Sequence, residues 1–479
     1  MFNEILKTCL INRKWNRREF LKSASLATLT ALTAGFPRIS FGAEKKLADA
    51  KADSVILLWM AGGMAHTETF DPKDPLHFKK GIRYQQIKST CKKIPTSLDD
   101  VFFSEGLENI AKHADKMTLV RSFQPPNLGH VLHARHQYHW HTGYTPPQTV
   151  TGPHIGAMIA KALGPKNSNM PSFVHIGQRL DIDGSPEVKA FLTPGFLGHE
   201  YAPLLIPYPS EASKIMSPPE GMSDERFVNR YKFYKKLSEL TPIGEFGSGY
   251  QKDSFINSID NSFKILSSDS ARAFDLSLEP KKSYDEYNTG RFGRGCLLAR
   301  RLVERGARFV EVTTEHVPFG NWDTHHTGHK RVMEMKNLID RPIAKLVSDL
   351  HQSGRLEKTL IVVASEFSRT TVLEPEYVPL GDPKFLVRGP LSYGLHKHYT
   401  GAGTALFFGG GFKQGHVYGK TADEVPCETL EDPASLIDIH ATIFRALGIP
   451  ADTSFDVEKR PYYITKDGKG EYIADLLRA

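Results

Sequence analysis

Cysteine is scarce in this chain, four residues in 479. Cys9 falls in an N-terminal stretch with leader character, which leaves Cys91, Cys296 and Cys427 at spacings unlike a zinc ribbon. An odd number leaves at least one thiol free, so a disulfide framework is not expected to organise a chain of this length. Long apolar runs are missing too. Beyond the leader no segment approaches the roughly 20 residues needed to cross a bilayer core, so no stable transmembrane anchor is expected. Nor is there an excess of charge. Of 61 basic and 54 acidic residues, the first 43 positions hold seven basic ones (Lys7, Arg13, Lys14, Arg17, Arg18, Lys22, Arg38) and two acidic ones (Glu4, Glu19). That leaves 54 against 52, a net charge of +2, on the remaining 436 residues. A near-neutral chain has no basic footprint for nucleic acid, and that class of partner drops out.

What is present begins with the leader. Asn16-Arg17-Arg18-Glu19-Phe20-Leu21-Lys22 sets two adjacent arginines before an uncharged, small-residue-rich stretch from Ser23 to Phe36, and Ser40-Phe41-Gly42-Ala43 follows as a cleavage site. This is the layout of a twin-arginine export signal over residues 1–43, too short in its apolar part to span a membrane. The expectation is an exported protein, periplasmic or secreted, with the twin-arginine translocase as its partner during export. That route carries folded cargo, often with a cofactor already inserted.

Residues 44–479 read as one large domain. Runs rich in β-branched residues recur at 54–60, 117–122, 172–176, 308–314, 359–364 and 404–408, and helical patterns separate them at 107–116, 154–163, 291–304, 330–351 and 433–447. The last pattern is expected to be capped by Asp432, with Pro433 in its first turn. Continuous apolar strands alternating with helices predict an α/β fold, a large, mainly parallel sheet covered by helices on both faces. Residues 208–290 show helical periodicity and no strand pattern, and read as a helical insertion. The stretch 372–391 reads as a long loop. Function in such folds collects beyond the carboxyl ends of the strands.

Five segments carry candidate chemistry. Ala61-Gly62-Gly63-Met64-Ala65-His66-Thr67-Glu68-Thr69-Phe70-Asp71 follows the first strand; the glycines permit a sharp turn, and His66, Glu68 and Asp71 are possible metal ligands. The second, from His130 through His133, His136 and His139 to His141-Thr142-Gly143, places histidines at spacing three along one helical face. They could serve as ligands or as a proton relay, although no single metal takes five, so some must pack or hydrogen-bond. Asn321-Trp322-Asp323-Thr324-His325-His326, Ser365-Glu366-Phe367-Ser368-Arg369 and His396-Lys397-His398 complete the set. A carboxylate–histidine pair, a strand-end carboxylate and a later histidine suit a divalent metal site built from several strand tips.

In combination, the leader, the Gly62-Gly63-x-x-His66-x-Glu68 turn, His130 to Thr142-Gly143, Trp322-Asp323-Thr-His325, Glu366-Phe-Ser-Arg369 and the helix after Asp432 resemble an exported family known as domain of unknown function 1501. The resemblance covers nearly all of 44–479. It implies an alkaline phosphatase/sulfatase-like α/β fold with metal ligands on strand ends. Asp323 and His325 resemble that superfamily's Asp-x-His ligand pair, and His398 its last histidine. Glu366 stands where the superfamily has Asp, and Phe367 where it has a ligand histidine. The metal-binding Asp expected after the first strand is replaced by the Gly62-Gly63 turn, with His66 or Glu68 as substitutes. His133 occupies the position nine residues before Thr142-Gly143 where sulfatases carry a Cys or Ser nucleophile.

Two expectations follow. The first is an exported metal-dependent hydrolase of phosphate or sulfate esters, acting on a small anionic ester or on a sulfated or phosphorylated glycan. Asp323, His325, Glu366 and His398 would hold a divalent metal, Zn before Ca or Mg, with His66 and Glu68 as further ligands. Arg369 would bind the anion, and His133, with His130 beside it, would serve as general base or nucleophile. The alternative is a non-catalytic secreted binding protein that keeps the fold without the usual nucleophile.

Overall fold

The computed structural model describes residues 49–479 apart from 147–150, 180–191, 219–220, 289, 372–385 and 458–459. The expected leader, 1–43, and most of the expected loop 372–391 lie outside the described residues.

Eight strands form one sheet: β1 (Ser54–Trp59), β2 (Met117–Val120), β3 (Phe173–Ile176), β4 (Leu204–Ile206), β5 (Phe309–Thr313), β6 (Thr359–Ala364), β9 (Ala405–Phe408) and β10 (His416–Tyr418). A separate two-stranded ribbon, β7 (Ser368–Thr370) with β8 (Lys397–Tyr399), stands beyond the end of β6. The spatial order in the sheet is β10-β2-β9-β6-β1-β5-β3-β4. All pairings are parallel except those of β9, which runs antiparallel to β2 and β6.

The central strands are buried along their whole length because alternate residues enter two different cores. Ile56, Leu58, Val310, Val312, Ile361 and Val363 pack with helices α5 (Arg291–Glu304) and α6 (Gly328–Gln352). Val55, Leu57, Trp59, Phe309, Leu360 and Val362 pack on the other face with α2 (Ile155–Leu163) and α7 (Leu436–Ala446). Helix α1 (His133–Thr142) also joins this second layer through Trp140. Between β4 and α5 the described residues hold helices and no strand, the longest being α3 (Asp224–Glu239) and α4 (Gly249–Leu266).

Two expected elements differ. The 107–116 pattern yields only a four-residue helix, Glu108–Ala111, followed by a 3-10 turn. Helix α7 begins at Leu436, not at Pro433, because Ala434–Ser435 first pair in parallel with Phe123–Gln124. Its cap is Ser435, whose hydroxyl accepts the Asp438 N–H at 3.2 Å, and Asp432 lies outside the helix.

Candidate functional site

Three strands of the sheet end at one edge, and their exits assemble the site. After β1 the chain turns through Gly62 (φ 123°) and Gly63 (φ 80°). A Cβ on Gly62 would sit 2.7 Å from the Asp323 backbone nitrogen, and one on Gly63 would sit 2.7 Å from the Phe367 ring. Only glycine allows both the left-handed backbone and this approach. After β6, Glu366 turns back so that the Gly62 N–H donates to both its oxygens, at 2.9 and 3.1 Å. After β5 the chain passes through left-handed backbone at Glu315, Phe319 and Asn321, then again at Thr327. Non-glycine residues held this way cost energy and persist only where surrounding contacts fix them, a pattern concentrated at functional sites. The loop they shape carries His316, Asp323 and His325.

Asp323 is the centre. Its Oδ1 lies 2.8 Å from His325 Nε2, 3.0 Å from His133 Nε2 and 2.5 Å from the Arg369 guanidinium, with His398 Nε2 at 4.0 Å. Its Oδ2 accepts the Phe319 N–H at 2.9 Å and faces His316 Nε2 at 3.4 Å. One ligand atom each from His133, Asp323, His325 and His398 fit within 4.8 Å of one another. His133, in the first turn of α1, bridges the carboxylates, with Nδ1 2.6 Å from Glu366 Oε1. Gln137, one turn on, donates to the same oxygen at 3.1 Å.

Burial alone would lower the His133 pKa, but hydrogen bonds to Asp323 and Glu366 outweigh it and raise the value. Burial likewise opposes ionisation of Asp323 and Glu366, yet the surrounding histidines hold both well below the usual carboxylate range. Both ring nitrogens of His133 face carboxylate oxygens, which favours its charged form, although the Arg369 guanidinium, 3.1 Å from its Nε2, opposes it. His398 behaves differently: burial pushes its pKa down to about 4. Its Nδ1–H donates to the Val131 carbonyl at 2.7 Å, which leaves Nε2 as a lone pair without a hydrogen-bond partner, aimed at Asp323. Two acceptors facing each other across 4.0 Å suit a cation between them. A donor set of imidazole nitrogens and one carboxylate fits a zinc-like ion better than calcium or magnesium, which prefer all-oxygen shells. Phe367, whose ring lies 4.7 Å from that of His133 and 4.8 Å from that of His398, fills the adjoining space with hydrocarbon.

Asp323, His325, Glu366, His398 and His133 thus come together from positions far apart in the chain. His66 and Glu68 do not join them. The His66 ring nitrogens contact Ser368 Oγ (2.6 Å) and the Cys427 carbonyl (3.1 Å), and Glu68 accepts from the Thr90 N–H (3.0 Å) and hydroxyl (2.8 Å). Asp71 is held by Arg121 and Lys73. His130 is exposed on the segment before α1. Arg369, expected to bind an anion, is 1% exposed and spends its guanidinium on the frame. It donates to the carbonyls of Gly62 (2.8 Å), Thr324 (3.0 Å) and His396 (3.3 Å) as well as to Asp323. It is a positioning residue, paired across the ribbon with His398. His316 is the residue that the sequence reading missed. Its position directly after β5 was the available signal, the same one that singled out Glu366 after β6.

Solved structures similar to this chain share little sequence with it. A lipoteichoic acid synthase from Listeria monocytogenes is 10% identical, with 90% of this chain and 79% of that one covered at a TM-score of 0.33. A sulfatase from Pseudoalteromonas sp. is 14% identical over 91% of this chain and 72% of its own, TM-score 0.33. A protein of the alkaline phosphatase superfamily from Vibrio parahaemolyticus is 11% identical over 95% and 78%, TM-score 0.33. Among curated protein sequences none matches. One family model matches residues 52–477, nearly the whole described chain, and the protein belongs to that family, described as a protein of unknown function, DUF1501.

Proposed function

We propose that this protein is an exported metal-dependent hydrolase of phosphate or sulfate esters, with sulfated or phosphorylated glycans as its substrate class. The observation that carries the reading is the partnerless His398 Nε2 facing the Asp323 carboxylate, with His325 on the same oxygen. Asp323, His325 and His398 would hold one divalent ion. When bound, such an ion polarises an ester oxygen and makes water a better nucleophile at neutral pH. His316, at the rim, orients the anionic group. The protonated His133 can deliver its Nε2 proton to the leaving oxygen, which makes it an acid in this reading and not the expected base. Glu366 holds His133, and Arg369 holds Asp323. Water is the nucleophile in this reading, because the serine hydroxyls on either side of Glu366 are committed. Ser365 Oγ lies 2.7 Å from the Met60 carbonyl and accepts the Met64 N–H at 3.0 Å, and Ser368 is on His66.

A second reading, a binding protein without catalysis, is favoured by one observation: both ring nitrogens of His133 are already engaged. The test is a screen of aryl phosphate, bis-aryl phosphodiester and aryl sulfate with protein purified after native export, before and after chelation and zinc return. Hydrolysis that falls with chelation and comes back with zinc supports the hydrolase. Bound metal with no hydrolysis of any of the three supports the binding protein.

A further inference from the structure

The loop that carries Asp323 passes through left-handed backbone at three residues before it reaches the carboxylate, and the fold accounts for two of them. Glu315 is completely buried, and its carboxylate is held by Arg179 at 2.8 Å and by Arg291 at 2.6 Å. Asn321 is a residue type that tolerates this backbone, and its side-chain amide donates to the carbonyls of Thr314 and Glu315, each at 3.0 Å. Phe319 is the third. A bulky side chain at φ 58° is an outlier, and its ring is 70% exposed, so burial does not offset the strain. Its backbone N–H holds Asp323 Oδ2 at 2.9 Å, but asparagine or glycine would supply that N–H without the strain.

The ring stands where the site opens. The Asp323 side chain is 5% exposed, and of the four histidines that face it His325 is the most exposed, at 31%. The Phe319 ring packs against His325, with centroids 4.9 Å apart and planes at 62°. A molecule that approaches Asp323 past His325 therefore meets an aromatic ring. Leu132, directly before His133, adds a second exposed apolar side chain, on a segment that His398 ties to the site through the Val131 carbonyl at 2.7 Å. A bare anion would use neither. A sugar ring presents a face of electropositive C–H groups, which packs on the electron-rich face of an aromatic ring while its hydroxyls stay in water.

We infer that Phe319 is a carbohydrate platform: it stacks on the pyranose ring that carries the phosphate or sulfate group, while that group enters toward Asp323. The inference rests on the reading of this site as one for glycan esters and deepens it, because stacking selects esters borne on a ring over open-chain esters of the same charge.

The test is equilibrium binding, by calorimetry, to protein purified after native export and loaded with zinc. The probes are ethanesulfonate and sulfoquinovose, a glucose that carries a sulfonate, together with the two phosphonates built the same way. Their C–S and C–P bonds resist hydrolysis, and only one of each pair carries a ring. The series that binds identifies the ester as sulfate or phosphate. Wild type should hold the sugar anion more tightly than the open-chain one. Phe319→Asn, which suits left-handed backbone, should weaken the sugar anion by about 3- to 10-fold, the range of one aromatic contact, and leave the open-chain anion unchanged. Phe319→Tyr should keep the wild-type affinity. The melting temperature of Phe319→Asn should hold or rise, since an exposed and strained ring is removed. An equal loss for both anions, no loss for either, no binding of any probe, or a fall in melting temperature would overturn the proposal. The hydrolase reading fails separately: a protein that holds the sugar anion through Phe319 yet hydrolyses none of the three aryl esters is the binding protein, with its platform intact.

Discussion

At the scale of single residues, Arg369 shows how a motif can be legible and its role not. The sequence places a guanidinium near a carboxylate at a strand end, which reads equally as anion binding or as support. Only the fold shows that three backbone carbonyls and Asp323 use its donors. Removing it leaves the Asp323 charge and those carbonyls without their partner. Arg369→Gln should therefore cost about 3–5 kcal/mol, the usual penalty for breaking a buried pair, measured by urea unfolding; a loss of activity at unchanged stability would return Arg369 to the role of substrate ligand. His440 allows a prediction on pH. It is buried in α7 against Trp140, its Nε2 has no partner, and burial together with neighbouring histidines lowers its pKa to about 3. The folded state thus keeps His440 neutral, while the unfolded chain takes up a proton near the ordinary value of 6.5. Its contribution to stability is complete above pH 6.5 and is lost as pH falls toward 3, by up to a few kcal/mol. His440→Leu should flatten the acid limb of a plot of stability against pH; an unchanged acid limb would place the linkage elsewhere.

At the scale of elements, the strand cores were legible because parallel strands buried on both faces leave continuous β-branched runs such as Thr359–Ala364. The edge strands Leu204–Ile206 and His416–Tyr418 were not, since three residues carry no periodicity. Helix starts were less secure. Asp432-Pro433 looks like a cap and first turn, but the two-residue pairing of Ala434–Ser435 with Phe123–Gln124 delays the helix to Leu436. The structure assigns the capping energy to one hydroxyl. Ser435→Ala should cost about 1 kcal/mol, the typical value of an N-cap, while Asp432→Ala should cost less; thermal melts of the two variants side by side decide it, and the reverse order would restore the cap at Asp432. Asp323 and Glu366 were legible as residues that follow strands, whereas His133, in a helix, and His398, within the ribbon, were legible from the histidine clustering and the family resemblance. His66 and Glu68 also follow a strand, but the 3-10 turn at His66–Glu68 directs them to Ser368 and Thr90, away from Asp323. No spacing in the sequence encodes that turn.

At the scale of the whole molecule, a mostly parallel sheet gathers distant residues at one edge, which explains how Asp323 and Glu366 come to share His133. Among the described residues no helix is long and apolar enough to cross a membrane. The reading of residues 1–43 as an export leader makes a prediction in the cell: Arg17-Arg18 exchanged for Lys-Lys should leave a full-length precursor inside, seen by fractionation and immunoblot. Normal secretion of that variant would direct export to the general route. The claim on which the functional account turns is that the Asp323 carboxylate, with His325 and His398, holds a divalent ion that hydrolysis requires. Its most direct measurement pairs metal content with rate in Asp323→Asn, an exchange that preserves shape and removes charge. The account predicts the loss of one metal equivalent and a fall in ester hydrolysis of about 100-fold or more, since the metal's transition-state stabilisation goes with it, with the circular dichroism spectrum unchanged. An Asp323→Asn protein that keeps both its full metal content and its wild-type rate would contradict it.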